Sequence, residues 1–148
     1  MTTPAEILRG AQTVVLHDWP SQEVPDELVA AGLDVAYQGG PDPDDLYVTR
    51  LVDGRPDTRK AGTLPQSADV IYSHRPIEEM PRLLEEAQAL GARVLWHQSG
   101  VDGHGGKDPR GVHLDDQEAG ERARLAADAG VQLVTEPYIV DAAREARK

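Results

Sequence analysis

Short runs of apolar, β-favouring residues alternate along this chain with stretches whose apolar positions recur every three or four residues. The clearest case spans residues 68–101. Val70, Ile71 and Tyr72 read as a strand, and Arg75-Pro76 stops it. Leu83, Leu84, Ala87 and Leu90 then form one helical stripe behind Pro81, which suits a first turn because its missing N–H has no partner there. Gly91 stands where a left-handed helix cap is needed, and Arg93-Val94-Leu95-Trp96 reads as a second buried strand. Strand, helix and strand in this order make a βαβ unit, with parallel strands and a right-handed crossover.

The same punctuation returns elsewhere. A helix end, a Gly and a buried strand follow one another at Ala30-Ala31-Gly32-Leu33-Asp34-Val35, at Ala89-Leu90-Gly91-Ala92-Arg93-Val94 and at Asp128-Ala129-Gly130-Val131-Gln132-Leu133. Buried strands are expected over residues 13–16, 33–37, 70–72, 93–96 and 131–134. Thr3-Pro4-Ala5-Glu6 has the form of a capping box for a first helix ended by Gly10. Pro25 opens a short helix to Ala31. Asp115 or Asp116 caps another to about Asp128, with Ala119, Ala123, Ala126 and Ala127 facing the sheet. A closing helix runs over residues 139–147, with Arg144, Arg147 and Lys148 at its negative dipole end. Between Pro41 and Gln66 the pattern loosens. Asp53-Gly54 marks a two-residue hairpin, and Pro56 confines the returning strand to an edge. The expected fold is α/β: a doubly wound, Rossmann-like single domain over residues 1–148. It has about five parallel strands, helices on both faces and a small β excursion near 47–59.

Composition narrows the function. Fifteen Lys and Arg against 26 Asp and Glu leave a formal charge of -11 over 148 residues, which excludes a nucleic-acid backbone or an anionic membrane surface as partner. No apolar run spans a bilayer, the first ten residues lack a signal-peptide pattern, and a cytoplasmic protein is expected. Without cysteine there is no thiolate nucleophile and no thiolate metal site. His97, His104 and His113 with Asp102, Asp108 and Asp115 match no helix-presented metal motif, so no metal centre is assigned. Ser99 sits in no nucleophile elbow, and no matched acid and base pair stands out, so no catalytic residue is assigned.

In open parallel sheets, ligands lie beyond the carboxyl ends of the strands. Those ends carry His17-Asp18-Trp19, Gln38-Gly39, His74-Arg75-Pro76 and Gln98-Ser99-Gly100-Val101, and these are the candidate ligand-binding residues. Arg75 suits a phosphate or carboxylate, with His74 as a second donor. Gln98 and Ser99 offer an amide and a hydroxyl, and Gly100 permits close backbone approach.

Ala68-Asp69-Val70-Ile71, Arg75-Pro76, the Glu85-Glu86-Ala87 helix, Gly91-Ala92, Trp96-x-Gln98-x-Gly100-Val101 and Ala129-Gly130-Val131 together resemble the small bacterial CoA-binding proteins. These are stand-alone relatives of the CoA-binding Rossmann domain of succinyl-CoA ligases. The resemblance covers about Ile7 to Tyr138. It implies a small nucleotide ligand, CoA or acyl-CoA, with a base or pantetheine contact at Gln98-Ser99-Gly100-Val101. The first turn departs from the family. A Gly-x-Ser-like turn becomes His17-Asp18-Trp19, followed by Glu23, Asp26 and Glu27. The Asn-Pro ending the second strand becomes Gln38-Gly39-Gly40-Pro41, and a Cys near the last strand becomes the Glu136-Pro137-Tyr138 stretch. A phosphate about 4 Å from Asp18 is penalised by about 4 kcal/mol at an effective dielectric of about 20, so weak or absent CoA binding is expected.

Two functions follow from these features. One is a non-catalytic module holding CoA, acyl-CoA or another adenine nucleotide. The other is a degenerate Rossmann domain that has lost its nucleotide and serves in protein interaction or homodimer assembly, with Trp19 plugging the old site.

Overall fold

A computed structural model describes residues 3–38, 42, 44–61, 63–98 and 115–148. Seven strands form one sheet: β1 (Thr13–His17), β2 (Asp34–Gln38), β3 (Leu46–Val52), β4 (Arg55–Lys60), β5 (Val70–Ser73), β6 (Val94–His97) and β7 (Gln132–Val134). Their spatial order is β4-β3-β2-β1-β5-β6-β7. The five predicted strands are the parallel ones. The excursion is an antiparallel hairpin on the rim, with Pro56 on the outermost strand as its missing N–H requires. Asp53 and Gly54 both take positive φ, 54° and 78°, as the hairpin turn demands.

Helices cover both faces. On one, α1 (Pro4–Arg9), α2 (Glu23–Ala30) and α5 (Ile139–Ala146) pack through Leu8, Val24, Leu28, Ile139 and Val140 onto Val14, Leu16, Tyr72 and Trp96. On the other, α3 (Met80–Leu90) and α4 (Asp116–Asp128) pack through Met80, Leu83, Leu84 and Ala126 onto Val15, Ile71 and Leu95. Strand side chains alternate between the two faces, so β5 and β6, buried throughout, are apolar on both sides up to the polar Ser73 and His97 at their carboxyl ends.

Local signals produce the helix ends. Thr3 and Glu6 form a complete capping box, Asp115 and Glu118 form another, and Gly91 closes α3 at φ 71°. Helix α2 starts at Glu23, two residues before the expected Pro25, because Pro is tolerated throughout a first turn.

The expected inner face of α4 needs correction. Ala119, Ala123 and Ala127 are exposed, and Ala126 alone of the four is buried. The helix packs beside β7, an edge strand of three residues, which offers little apolar surface to cover.

Candidate functional site

The chain steps from β1 outward to β2 and then returns to β5 on the other side of β1. The carboxyl ends of β1 and β5 therefore flank the switch point, where an open sheet forms its ligand crevice. Cross-strand register sets His17 beside Ser73 and Ser73 beside His97. The His17 and His74 segments are tied further, since the His74 N–H donates to the His17 carbonyl at 3.1 Å.

His17 is half-buried, and its Nε2 lies 2.7 Å from Glu86 Oε1 on α3. Asp18 follows with φ 64°, a left-handed backbone that glycine adopts most freely. Its Oδ1 accepts the Trp19 N–H at 3.0 Å, the kind of local bond that lets Asp occupy this conformation. The turn thus keeps a glycine-like path without a glycine. Trp19 leans edge-on against Tyr37, with ring centroids 5.3 Å apart, and Tyr37 stacks on Tyr47.

Arg75 is exposed beyond β5. Its Nε and Nη2 reach Glu79 Oε2 at 2.9 and 2.8 Å, and its Nη1 lies 3.8 Å from Asp18 Oδ2. Glu79 also accepts from Arg82. The Arg75 and Arg82 hydrogen bonds hold the Glu79 carboxyl below the usual range, and the Glu79 hydrogen bond raises the Arg75 guanidinium further. Any anion at Arg75 competes with two protein carboxylates. Glu79 was missed in the sequence, although its i+4 spacing from Arg75 is the signal for such a pair. Glu86, 69 residues from His17, carries no such local signal.

His97 is 4% exposed and donates from Nε2 to the Arg75 carbonyl at 2.8 Å. Burial keeps its imidazole below the ordinary histidine range. The Arg75 N–H donates to Ser73 Oγ at 3.0 Å, so both ends of that peptide segment are pinned.

Gln98 is 3% exposed and its side chain is turned into the protein. Nε2 donates to the carbonyls of Thr135 and Pro137 at 3.1 and 2.9 Å, and Oε1 accepts the Ile139 N–H at 3.1 Å. Trp96 Nε1 donates to the same Pro137 carbonyl at 3.1 Å. The Trp96-x-Gln98 pair therefore holds the approach to α5 in place. Gln38 is exposed and donates to the Asp42 carbonyl at 2.9 Å. Pro76 is exposed and precedes the 3₁₀ turn Ile77–Glu79. The candidates Gly39, Ser99, Gly100 and Val101 lie outside the described residues.

The acidic surroundings of the first turn are partly offset. Arg144 on α5 lies 3.6 Å from Glu23 and 3.5 Å from Glu27, and Arg147 lies 3.3 Å from Glu27. The side chain of Asp18 is 52% exposed, so the penalty of about 4 kcal/mol is too large. Solvent screening brings it towards about 1 kcal/mol, a several-fold and not a thousandfold effect.

The family model for the CoA binding domain matches residues 16–141 of this chain. Among solved structures, the crystal structure of Prb, described as PH1109 protein redesigned for binding, is similar with a TM-score of 0.57 at 20% identity. The match covers 97% of this chain and 89% of that one, and it establishes the likeness of fold. No curated protein matches.

Proposed function

The chain belongs to the CoA binding domain family, and from that membership we propose that it is a non-catalytic module holding CoA or acyl-CoA at the carboxyl edge of β1 and β5. The observation that carries this reading is the family match across the whole switch-point region, residues 16–141. The geometry supports it in two respects. The first turn follows a left-handed path at Asp18, and Arg75 stands beside that turn. The same geometry makes the affinity weak. A ligand phosphate must displace Asp18 from Arg75 and share the guanidinium with Glu79.

Titration calorimetry with CoA and acetyl-CoA tests this. Asp18→Gly removes the nearby charge and relaxes the backbone, so affinity should rise about fivefold, the equivalent of about 1 kcal/mol. Arg75→Ala should weaken CoA more than dephospho-CoA. Absence of binding at millimolar ligand in both the unmodified protein and Asp18→Gly would remove this reading.

A second reading, a protein-interaction or assembly module, is favoured by Leu51 and Val52, which are 39% and 43% exposed. They lie on the part of β3 that extends beyond its pairing with β2. Sedimentation without ligand separates the readings: a dimer dispersed by Leu51→Lys supports assembly, and a monomer removes it.

A further inference from the structure

Three uncharged hydroxyls belong to the segments beneath the first turn. Ser21 lies just before α2, Tyr138 caps the start of α5, and Tyr72 stands on β5 in the row Leu16–Tyr72–Trp96. Ser21 Oγ and Tyr138 Oη are 3.4 Å apart, long for a bond between hydroxyls and easily parted. Tyr72 is completely buried, and its hydroxyl has no hydrogen-bond partner among the described residues. A stranded buried hydroxyl costs stability, and native proteins hold few of them.

The electrostatic surroundings limit what such a hydroxyl can meet. Tyr72 interacts with Tyr138 and Asp18, and Tyr138 interacts with Glu23, Asp141 and Arg144. Three carboxylates, Asp18, Glu23 and Asp141, outnumber the two guanidiniums beside them, Arg75 and Arg144, which makes this a poor seat for a phosphate. Burial above all raises the Tyr72 phenol far beyond its ordinary range, so the group stays a neutral donor. A neutral donor among carboxylates selects an acceptor that carries no charge.

We propose that Ser21, Tyr72 and Tyr138 form a subsite for an uncharged carbonyl, the amide or thioester of a pantetheine-like arm, with Tyr72 Oη as the donor that pairs when the ligand arrives. This rests on the CoA-module reading and names the part of the ligand that the protein recognises beneath the first turn. Phosphates remain outside, near Arg75, and the Ser21–Tyr138 contact opens to admit the carbonyl.

Tyr72→Phe removes the hydroxyl and keeps the ring. Calorimetry with CoA, acetyl-CoA and the adenosine bisphosphate half of CoA supplies the readout, together with the melting temperature of the ligand-free protein. In Tyr72→Phe, CoA and acetyl-CoA should weaken roughly fivefold, as the loss of one hydrogen bond implies. The adenosine bisphosphate should bind as before, and the melting temperature should hold or rise. Tyr138→Phe, which also frees Ser21, should show the same split between ligands. Equal affinities for CoA in Tyr72→Phe and the unmodified protein would overturn the subsite. So would equal losses for all three ligands, or a lower melting temperature, which would mean the hydroxyl already has an internal partner. If the unmodified protein binds none of the three, the CoA-module reading falls and the subsite with it. If it binds the bisphosphate as tightly as CoA, the binding reading stands and the subsite alone falls.

Discussion

His17 and His97 occupy one row of the sheet, on either side of Ser73, and their partners set them apart. A carboxylate faces His17. A backbone carbonyl faces His97, which must therefore carry its proton on Nε2. Burial disfavours the charged form of His97, with His74 and Arg122 adding to that effect, while the Arg75 carbonyl and Glu79 oppose it. Its folded pKa is thus depressed below the unfolded value of about 6.5. The unfolded chain binds the proton first as pH falls. The stability that neutral His97 contributes is complete above about pH 6.5 and is lost as pH falls towards the folded pKa. His97→Gln keeps a donor for Arg75 without a titrating ring. Urea midpoints at pH 8 and pH 5 should differ less for this variant than for the unmodified protein; equal differences would show that His97 contributes nothing to the acid limb.

At the scale of elements, Gln98 joins the end of β6 to the start of α5 through three hydrogen bonds. Arg9 closes the other end of α5 by donating to the carbonyls of Ala146 and Glu145 at 3.2 and 3.0 Å. Both ends of this helix are therefore held by side chains distant in sequence. Gln98→Leu fills a similar volume but strands the Ile139 N–H and the Thr135 carbonyl. A buried group left without a partner costs about 1–3 kcal/mol, and partial relaxation should keep the total near 2–3 kcal/mol. Urea denaturation should register that loss, and amide exchange should accelerate first at the start of α5. Unchanged exchange there would mean that Trp96, which also donates to the Pro137 carbonyl, suffices as the lock.

For the whole molecule, a formal charge of -11 opposes the approach of any polyanionic ligand. That repulsion extends over about 30 Å at 0.01 M salt and about 10 Å at 0.1 M. The association rate of CoA, followed by stopped flow, should therefore rise across this range. A falling rate would show that cations near the crevice steer the ligand more strongly than the net charge repels it.

Sequence by itself determined the five parallel strands, the rim hairpin and most helix ends, because each is written in neighbouring residues. Gly91 takes its left-handed φ, Asp53-Gly54 makes its turn, and Thr3 and Asp115 cap helices through bonds spanning three residues. The switch point between β1 and β5 was legible too, since alternating strands and helices leave few topologies open. What the crevice residues touch was decided by tertiary structure. Gln98 reads as a ligand contact until the packing of β6 under the α5 approach turns its amide inward. Arg75 reads as a free cation until Glu79 and Asp18 close on it. His17 finds Glu86 across 69 residues, and the buried hydroxyl of Tyr72 has no hydrogen-bond partner among the described residues. Backbone propensity acts over a few residues, but the direction and pairing of a side chain depend on segments that only the folded sheet brings together.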